Sequence, residues 1–278
     1  MALTLQRQLF PAWQKCLLAT WLVTFLWAGA AGATSVVCVR TPDALAIAAD
    51  SMLTIRNDQG TLISSSECKV ARAGKVFFAL SGFYKDPARD YDVIAKVRAA
   101  ISDRSGFPEK AAAVSVAVSD ALTAELGRLK SEAPAAYNDM TLRGGTLLNL
   151  LLAGFEDGSA RVSLLKFRQV VSPAGAIALT TEQNACPGNC NAGNISAYYL
   201  TDKGPIDAYL KKGQPVDWRS PETAAKFLVQ LVLDARTPGV GGPIDVLRID
   251  KSGASWIEHK EQCPELPAPT SEFRPGEL

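Results

Sequence analysis

The stretch Thr34-Ser-Val-Val-Cys-Val-Arg-Thr-Pro-Asp-Ala-Leu-Ala-Ile-Ala-Ala-Asp50 decides how this chain is read. Val36 to Val39 and Ala44 to Ala49 are short apolar runs on either side of the turn-forming triplet Thr41-Pro-Asp43, so the spacing predicts a β-hairpin. Position 42 lies midway between 34 and 50, and an antiparallel pair folded there sets Thr34 opposite Asp50. A carboxylate ending an apolar strand is ordinarily a turn residue. Pairing with Thr34 gives it a functional reading.

The residues before Thr34 give that threonine its weight. Arg7 and Lys15 make a basic start, Cys16 to Trp27 is an almost wholly apolar stretch, and Ala28-Gly-Ala-Ala-Gly-Ala33 is a small-residue cleavage region. The apolar stretch is well short of the about 20 residues a membrane-spanning helix needs. Residues 1–33 therefore read as a removable signal peptide, and the protein as periplasmic or secreted. Two A-x-A sites exist, one cutting before Ala31 and one before Thr34, and the sequence does not choose between them. Cleavage before Thr34 exposes a residue carrying both a hydroxyl nucleophile and an amine that serves as its base.

Arg7 and Lys15 are the only charges of the first 33 residues, so 27 basic and 28 acidic side chains remain after cleavage, a net of −1. A nucleic-acid partner usually needs a concentrated basic face, and this balance argues against one. No second long apolar segment follows, so no membrane association is expected once the leader is gone. One domain over 34–260 and a Pro-rich tail over 261–278, lying along the surface or disordered, account for the remainder. Of the five cysteines beyond the leader, Cys186-Pro-Gly-Asn-Cys190 is spaced to close as a local disulfide around a turn, with free thiols the alternative. The odd number leaves at least one thiol unpaired within the chain. A metal site would need more ligands than one cysteine pair and the lone His259 supply, and no cofactor motif is present. His259, in the charged stretch Glu258-His-Lys-Glu261, reads as a solvated side chain, which removes the imidazole base that Ser-His-Asp and Cys-His hydrolases require.

A second hairpin follows from Lys69-Val-Ala-Arg72, a turn at Ala73-Gly-Lys75, and Val76-Phe-Phe-Ala-Leu80. Folded about Gly74 and Lys75, it brings Lys69 near Leu80 and Ser81, beside Gly82. Asp90 to Arg104 and Glu109 to Lys130 have helical spacing, with Val93, Ile94, Val97 and Ile101 on one face of the first. Thr146 to Phe155 with Arg161 to Val171, Tyr198 to Thr201 with Ile206 to Leu210, and Ile244 to Ile249 with Ala254 to Ile257 read as further hairpins. Pro221-Glu-Thr-Ala starts a helix reaching about Ala235.

Thr34-Ser-Val-Val-Cys-Val, Ala46-Ile-Ala-Ala-Asp50-Ser, Lys69, Ala79-Leu-Ser-Gly82 and Gly241-Gly-Pro-Ile-Asp-Val246, in that order, resemble the successive motifs of proteasome β-type subunits within the N-terminal-nucleophile hydrolases. The resemblance covers residues 34 to about 258 and is most specific over its first 50. It implies an α+β fold, a four-layer αββα sandwich, and a threonine-type amidohydrolase, with peptides as the first substrate and other amides open. It also implies the roles: Thr34 as nucleophile with its α-amine as base, Lys69 lowering the proton affinity of the hydroxyl, Asp50 holding Lys69, and the Gly82 N–H stabilising the oxyanion. Homo-oligomers are common in such proteins.

The chain departs from that pattern. Val240 stands where a serine usually precedes the Gly-Gly pair, and Asp234 is offset from the usual upstream aspartate. Gln183 to Asn194, with its two cysteines, occupies the region of a small Ser/Gly-rich segment that helps orient the nucleophile. A proteasome-like scaffold without catalysis is therefore an alternative. Another is a serine hydrolase using Ser66-Glu-Cys-Lys69 as an S-x-x-K motif, with Lys251-Ser-Gly253 as its later K-[ST]-G. That motif belongs at the start of a helix, whereas Lys69 leads into a strand pattern.

Overall fold

The computed structural model describes residues 34–56, 62–86, 90–102, 104–142, 145–171, 177–191 and 193–266. The leader reading and the tail beyond residue 266 lie outside the described residues. The fold is α+β.

Two five-stranded antiparallel sheets form its body. The first is ordered β12 (Ser196–Leu200), β1 (Val36–Arg40), β2 (Ala44–Asp50), β13 (Ile244–Asp250) and β14 (Gly253–Glu258). The second runs β11 (Ile177–Cys186), β10 (Ser159–Val171), β9 (Thr146–Glu156), β6 (Val76–Gly82) and β5 (Val70–Ala73). Two small ribbons, β3 (Met52–Arg56) with β4 (Leu62–Ser66) and β7 (Lys85–Asp86) with β8 (Tyr91–Asp92), complete the strands. The helices are α1 (Val93–Ser102), α2 (Phe107–Glu132), α3 (Pro134–Leu142), α4 (Gly204–Lys211) and α5 (Pro221–Asp234).

Strand alternation sorts the apolar side chains. On β1 and β2, Val36, Cys38, Leu45, Ile47 and Ala49 join Phe77, Ala79, Leu151 and Val162 of the second sheet in one cluster. Their neighbours Val37, Val39, Ala46 and Ala48 pack instead with Ala225, Leu228, Val229 and Val232 of α5. A third cluster joins Phe78, Leu80, Leu150 and Leu152 to Val97, Val114, Val118 and Leu122 of α1 and α2. Because β1 and β2 are covered on both faces, every residue in them is buried, including Arg40 and Asp50. Arg40 is satisfied by the carbonyls of Ala160 (3.0 Å) and Asn194 (3.1 Å).

Several expectations are corrected. The first turn closes between Thr41 and Ala44, with the Thr41 N–H donating to the Ala44 carbonyl at 2.9 Å, so the hairpin centres between Pro42 and Asp43 rather than on Pro42. Val36 therefore pairs with Ala49, and Asp50 comes opposite Ser35, not Thr34. Residues 204–211 are helical rather than strand: Pro205 and Asp207 suit a first helical turn, and Asp202 Oδ1 accepts the Gly204 N–H at 2.9 Å. The edge strand β12 pairs with β1 instead. Residues 261–266 do not behave as a tail, because Cys263 is buried and bonded to Cys68, and Pro264 O accepts the Trp256 indole N–H at 3.0 Å. The Cys186–Cys190 bond is also present, and Cys38 is a free, buried thiol.

Candidate active site

Asp50 ends the central strand β2, and the site is organised around its carboxylate. Oδ1 accepts two donors at 2.7 Å each, the Ser35 N–H and the Lys69 ammonium. Oδ2 accepts the Gly241 N–H at 3.0 Å. The Asp50 N–H in turn donates to Ser35 O at 3.0 Å. Thr34, itself buried, is thus one residue from an amide that shares an acceptor atom with Lys69. The one-residue change in register produces this arrangement, since the backbone beside Thr34, rather than its side chain, meets Asp50.

Lys69 lies in the short segment before β5. Its side chain is 4% exposed and that of Asp50 0%, so the ion pair is withdrawn from water. Burial lowers the proton affinity of the Lys69 ammonium below that of an ordinary lysine, and the Asp50 charge and hydrogen bond partly offset this. The segment is fixed from its other end by the Glu67 N–H, which donates to Ser51 O at 2.9 Å. In the β5–β6 hairpin Val70 pairs with Ala79, so the residue before Val70 falls level with Leu80, as the spacing predicts.

Gly82 ends β6, opposite Leu148 of β9. Its φ is +103°, and a Cβ there would fall 2.3 Å from the Leu147 carbonyl oxygen, so only glycine fits. The structure joins Asp50, Lys69 and the backbone next to Thr34 by hydrogen bonds. Gly82 is placed two residues along β6 from Leu80.

Sequence reasoning missed several supports. The N–H groups of Ser51 and Met52 both donate to Gly241 O, at 3.1 and 2.9 Å, and the Ser51 hydroxyl donates to Pro243 O. The loop before β13 therefore grips the end of β2. Gly242, with φ +77°, allows that loop to pass close to Ser51, whose Cβ would be 3.2 Å from an added Cβ. Cys68, directly before Lys69, is bonded to Cys263. Fully buried Asp245 is paired with Lys260. A polar residue at a buried position of the strand Ile-Asp-Val-Leu was the available signal for Asp245; nothing local marked Lys260.

The departures noted in the sequence also have locations. Val240 is buried with the α5 cluster, and exposed Asp234 accepts the Gln230 side-chain N–H at 2.7 Å. Ser66 is exposed at the end of β4 with no helix beginning there, contrary to the geometry an S-x-x-K nucleophile needs. His259 is exposed, its Nδ1 2.9 Å from Lys260 O. Among the described residues no helix is long and apolar enough to cross a membrane.

Comparison with protein families and with curated proteins finds no match for this chain. Chemically, a buried ammonium held by a carboxylate can stabilise negative charge that develops close to it, in a medium where such charge effects are stronger than in water.

Proposed function

We propose that this protein is an exported N-terminal-threonine amidohydrolase of the proteasome β-type kind, a peptidase in which removal of residues 1–33 exposes Thr34. The observation that carries this reading is the sharing of Asp50 Oδ1 between the Ser35 N–H and the Lys69 ammonium. The order of apolar clusters supports the corresponding fold: helices α1 to α3 against the second sheet, the two sheets against each other, and α4 and α5 against the first, a four-layer αββα sandwich.

In this mechanism the Thr34 Oγ attacks the amide carbonyl carbon, and its proton passes to the Thr34 α-amine, directly or through a water. Such an amine titrates near ~7.7–8.0, so a useful fraction is neutral at physiological pH. Lys69 favours the alkoxide-like charge on Oγ, and Asp50 fixes Lys69. The Gly82 N–H donates to the oxyanion of the tetrahedral intermediate. The ammonium of Thr34 then protonates the leaving amine, and water hydrolyses the acyl-enzyme ester to regenerate Thr34.

Edman or mass-spectrometric sequencing of the exported protein tests the first requirement, with a start at Thr34 expected and a start at Ala31 or Ser35 counting against it. Labelling by an electrophile selective for N-terminal threonines, in wild type but not in Thr34→Ala, tests the second. The positions of Val240 and Asp234 favour a second reading, a scaffold that kept the fold without the chemistry. Absence of label on a wild-type chain beginning at Thr34 would establish that alternative.

A further inference from the structure

A second buried ion pair stands beside the site, and the mechanism above does not use it. Asp245 lies on β13 opposite Ala49, the residue before Asp50, and is fully buried. Its Oδ1 accepts the Lys260 N–H at 3.0 Å, and its Oδ2 is 2.5 Å from Lys260 Nζ. The Lys260 side chain is only 9% exposed. Removing both charges from water is costly, so a pair at this depth must be held by its surroundings.

A covalent link supplies that hold. The Cys263 N–H donates to Lys260 O at 3.0 Å, closing a turn, and Cys263 is bonded to Cys68, the residue before Lys69. The two sulfurs and an Asp245 carboxylate oxygen all lie within 4.8 Å of one another. The Lys69 segment and the Lys260 turn therefore form one packed unit carrying two lysines, each with its own carboxylate.

We propose that Lys260 and Asp245, tied to the site by the Cys68–Cys263 disulfide, are positioning residues that hold Lys69 on Asp50 and set the charge Thr34 meets. The inference rests on the reading of Thr34 as nucleophile. The charged groups acting on Lys69 are Asp50 from β2, Glu67 from its own segment and Lys260 from the segment after β14, with Asp245 of β13 behind Lys260. Lys260 is the like charge among them and favours loss of the Lys69 proton. Replacing it with an apolar side chain makes Lys69 keep its proton to higher pH; replacing it with arginine preserves the charge.

The test compares wild type, Lys260→Met and Lys260→Arg, each beginning at Thr34. The pH titration of the Lys69 Cε resonance is followed by NMR, assigned with Lys69→Arg, alongside electrophile labelling of Thr34 across pH. In Lys260→Met the Lys69 titration moves to higher pH, the labelling profile changes shape, and labelling slows about tenfold or more; Lys260→Arg restores the wild-type titration. Coincident Lys69 titrations in wild type and Lys260→Met would overturn the proposal, because a purely structural role leaves that titration in place. Should Lys260→Met fail to fold, the Asp245→Asn/Lys260→Met variant strands neither charge, and a smaller shift in the same direction is expected, since Lys260 acts on Lys69 directly and Asp245 from behind it. The NMR titration needs no catalysis, so it separates failure of this inference from failure of Thr34 to label in wild type.

Discussion

Replacing Lys69 by methionine and Asp50 by asparagine, singly and together, measures how deeply the candidate site is built into the fold. Lys69→Met leaves a fully buried carboxylate with two amide donors, from Ser35 and Gly241, and no counter-charge. Breaking one partner out of a buried pair costs about 3–5 kcal/mol, a large share of a domain stability of about 5–15 kcal/mol. Asp50→Asn strands the Lys69 ammonium at a similar cost. The double variant removes both charges; its remaining defect is the Gly241 N–H, which meets the asparagine amide nitrogen or loses its acceptor, about 1–3 kcal/mol. Two singles that sum to about 6–10 kcal/mol, against a double near about 1–3 kcal/mol, give strong positive coupling. Urea unfolding with disulfides intact, followed by the fluorescence of Trp218 and Trp256, reads the cycle. Sign also matters. The folded chain holds the Lys69 proton more weakly than the unfolded chain does, so between the folded pKa and the ordinary lysine value wild-type stability rises with pH, and Lys69→Met lacks that rise. Additive single effects, or single losses each below about 1 kcal/mol, would refute the pair's burial and coupling.

Two other outcomes bear on the same structure. Gly82→Ala forces a side chain into a left-handed backbone position and toward the Leu147 carbonyl, so a melting experiment should show a loss of about 1–3 kcal/mol and Thr34 labelling should fall; wild-type behaviour in both would count against the assigned backbone. Burial pushes the Cys38 thiol up to about 12, leaving roughly one part in ten thousand as thiolate at pH 8. A chain beginning at Thr34 should therefore show no thiol toward a thiol reagent when native and one when denatured without reductant, and rapid native reaction would contradict the packing of β1.

The hairpins were legible because turn residues and apolar runs both marked them: β5 with β6, β9 with β10 and β13 with β14 pair as expected, and β1 pairs with β2 one residue away from the expected register. The helices α1 and α2 followed from their helical spacing and α5 from its Pro221-Glu-Thr-Ala start, and Val93, Val97 and Ile101 are buried as expected, whereas Ile94 is half-buried. Register was a finer matter. A turn of two residues and one of three share the same Thr-Pro-Asp signature, and the choice moves Asp50 by one partner. Residues 204–211 were misread because Ile206, Tyr209 and Leu210 suit a strand by type but a helix by spacing, and Tyr209 packs edge-on against Phe227 of α5 at 5.0 Å. The strands β3, β4 and β11 carry weak patterns; on β11 most side chains are at least partly exposed, so no apolar run announces it. Asp50, Lys69 and Gly82 were visible as motifs, but the hold of the Ser35 and Gly241 amides on Asp50 was not, since backbone donors leave no trace in residue types.

The Cys68–Cys263 bond, spanning 195 residues, turns most of the domain into a covalent ring. Lys69, Gly82, the entire second sheet and the five described helices belong to the ring, whereas Thr34, Asp50 and the strands β1 to β4 form an open arm entering it. A single proteolytic cut in any loop of the ring leaves its pieces joined, but a cut between β3 and β4 leaves Thr34 and Asp50 attached only by packing and hydrogen bonds. Asp50, on the free element, and Lys69, on the closed one, therefore pair across the junction between them.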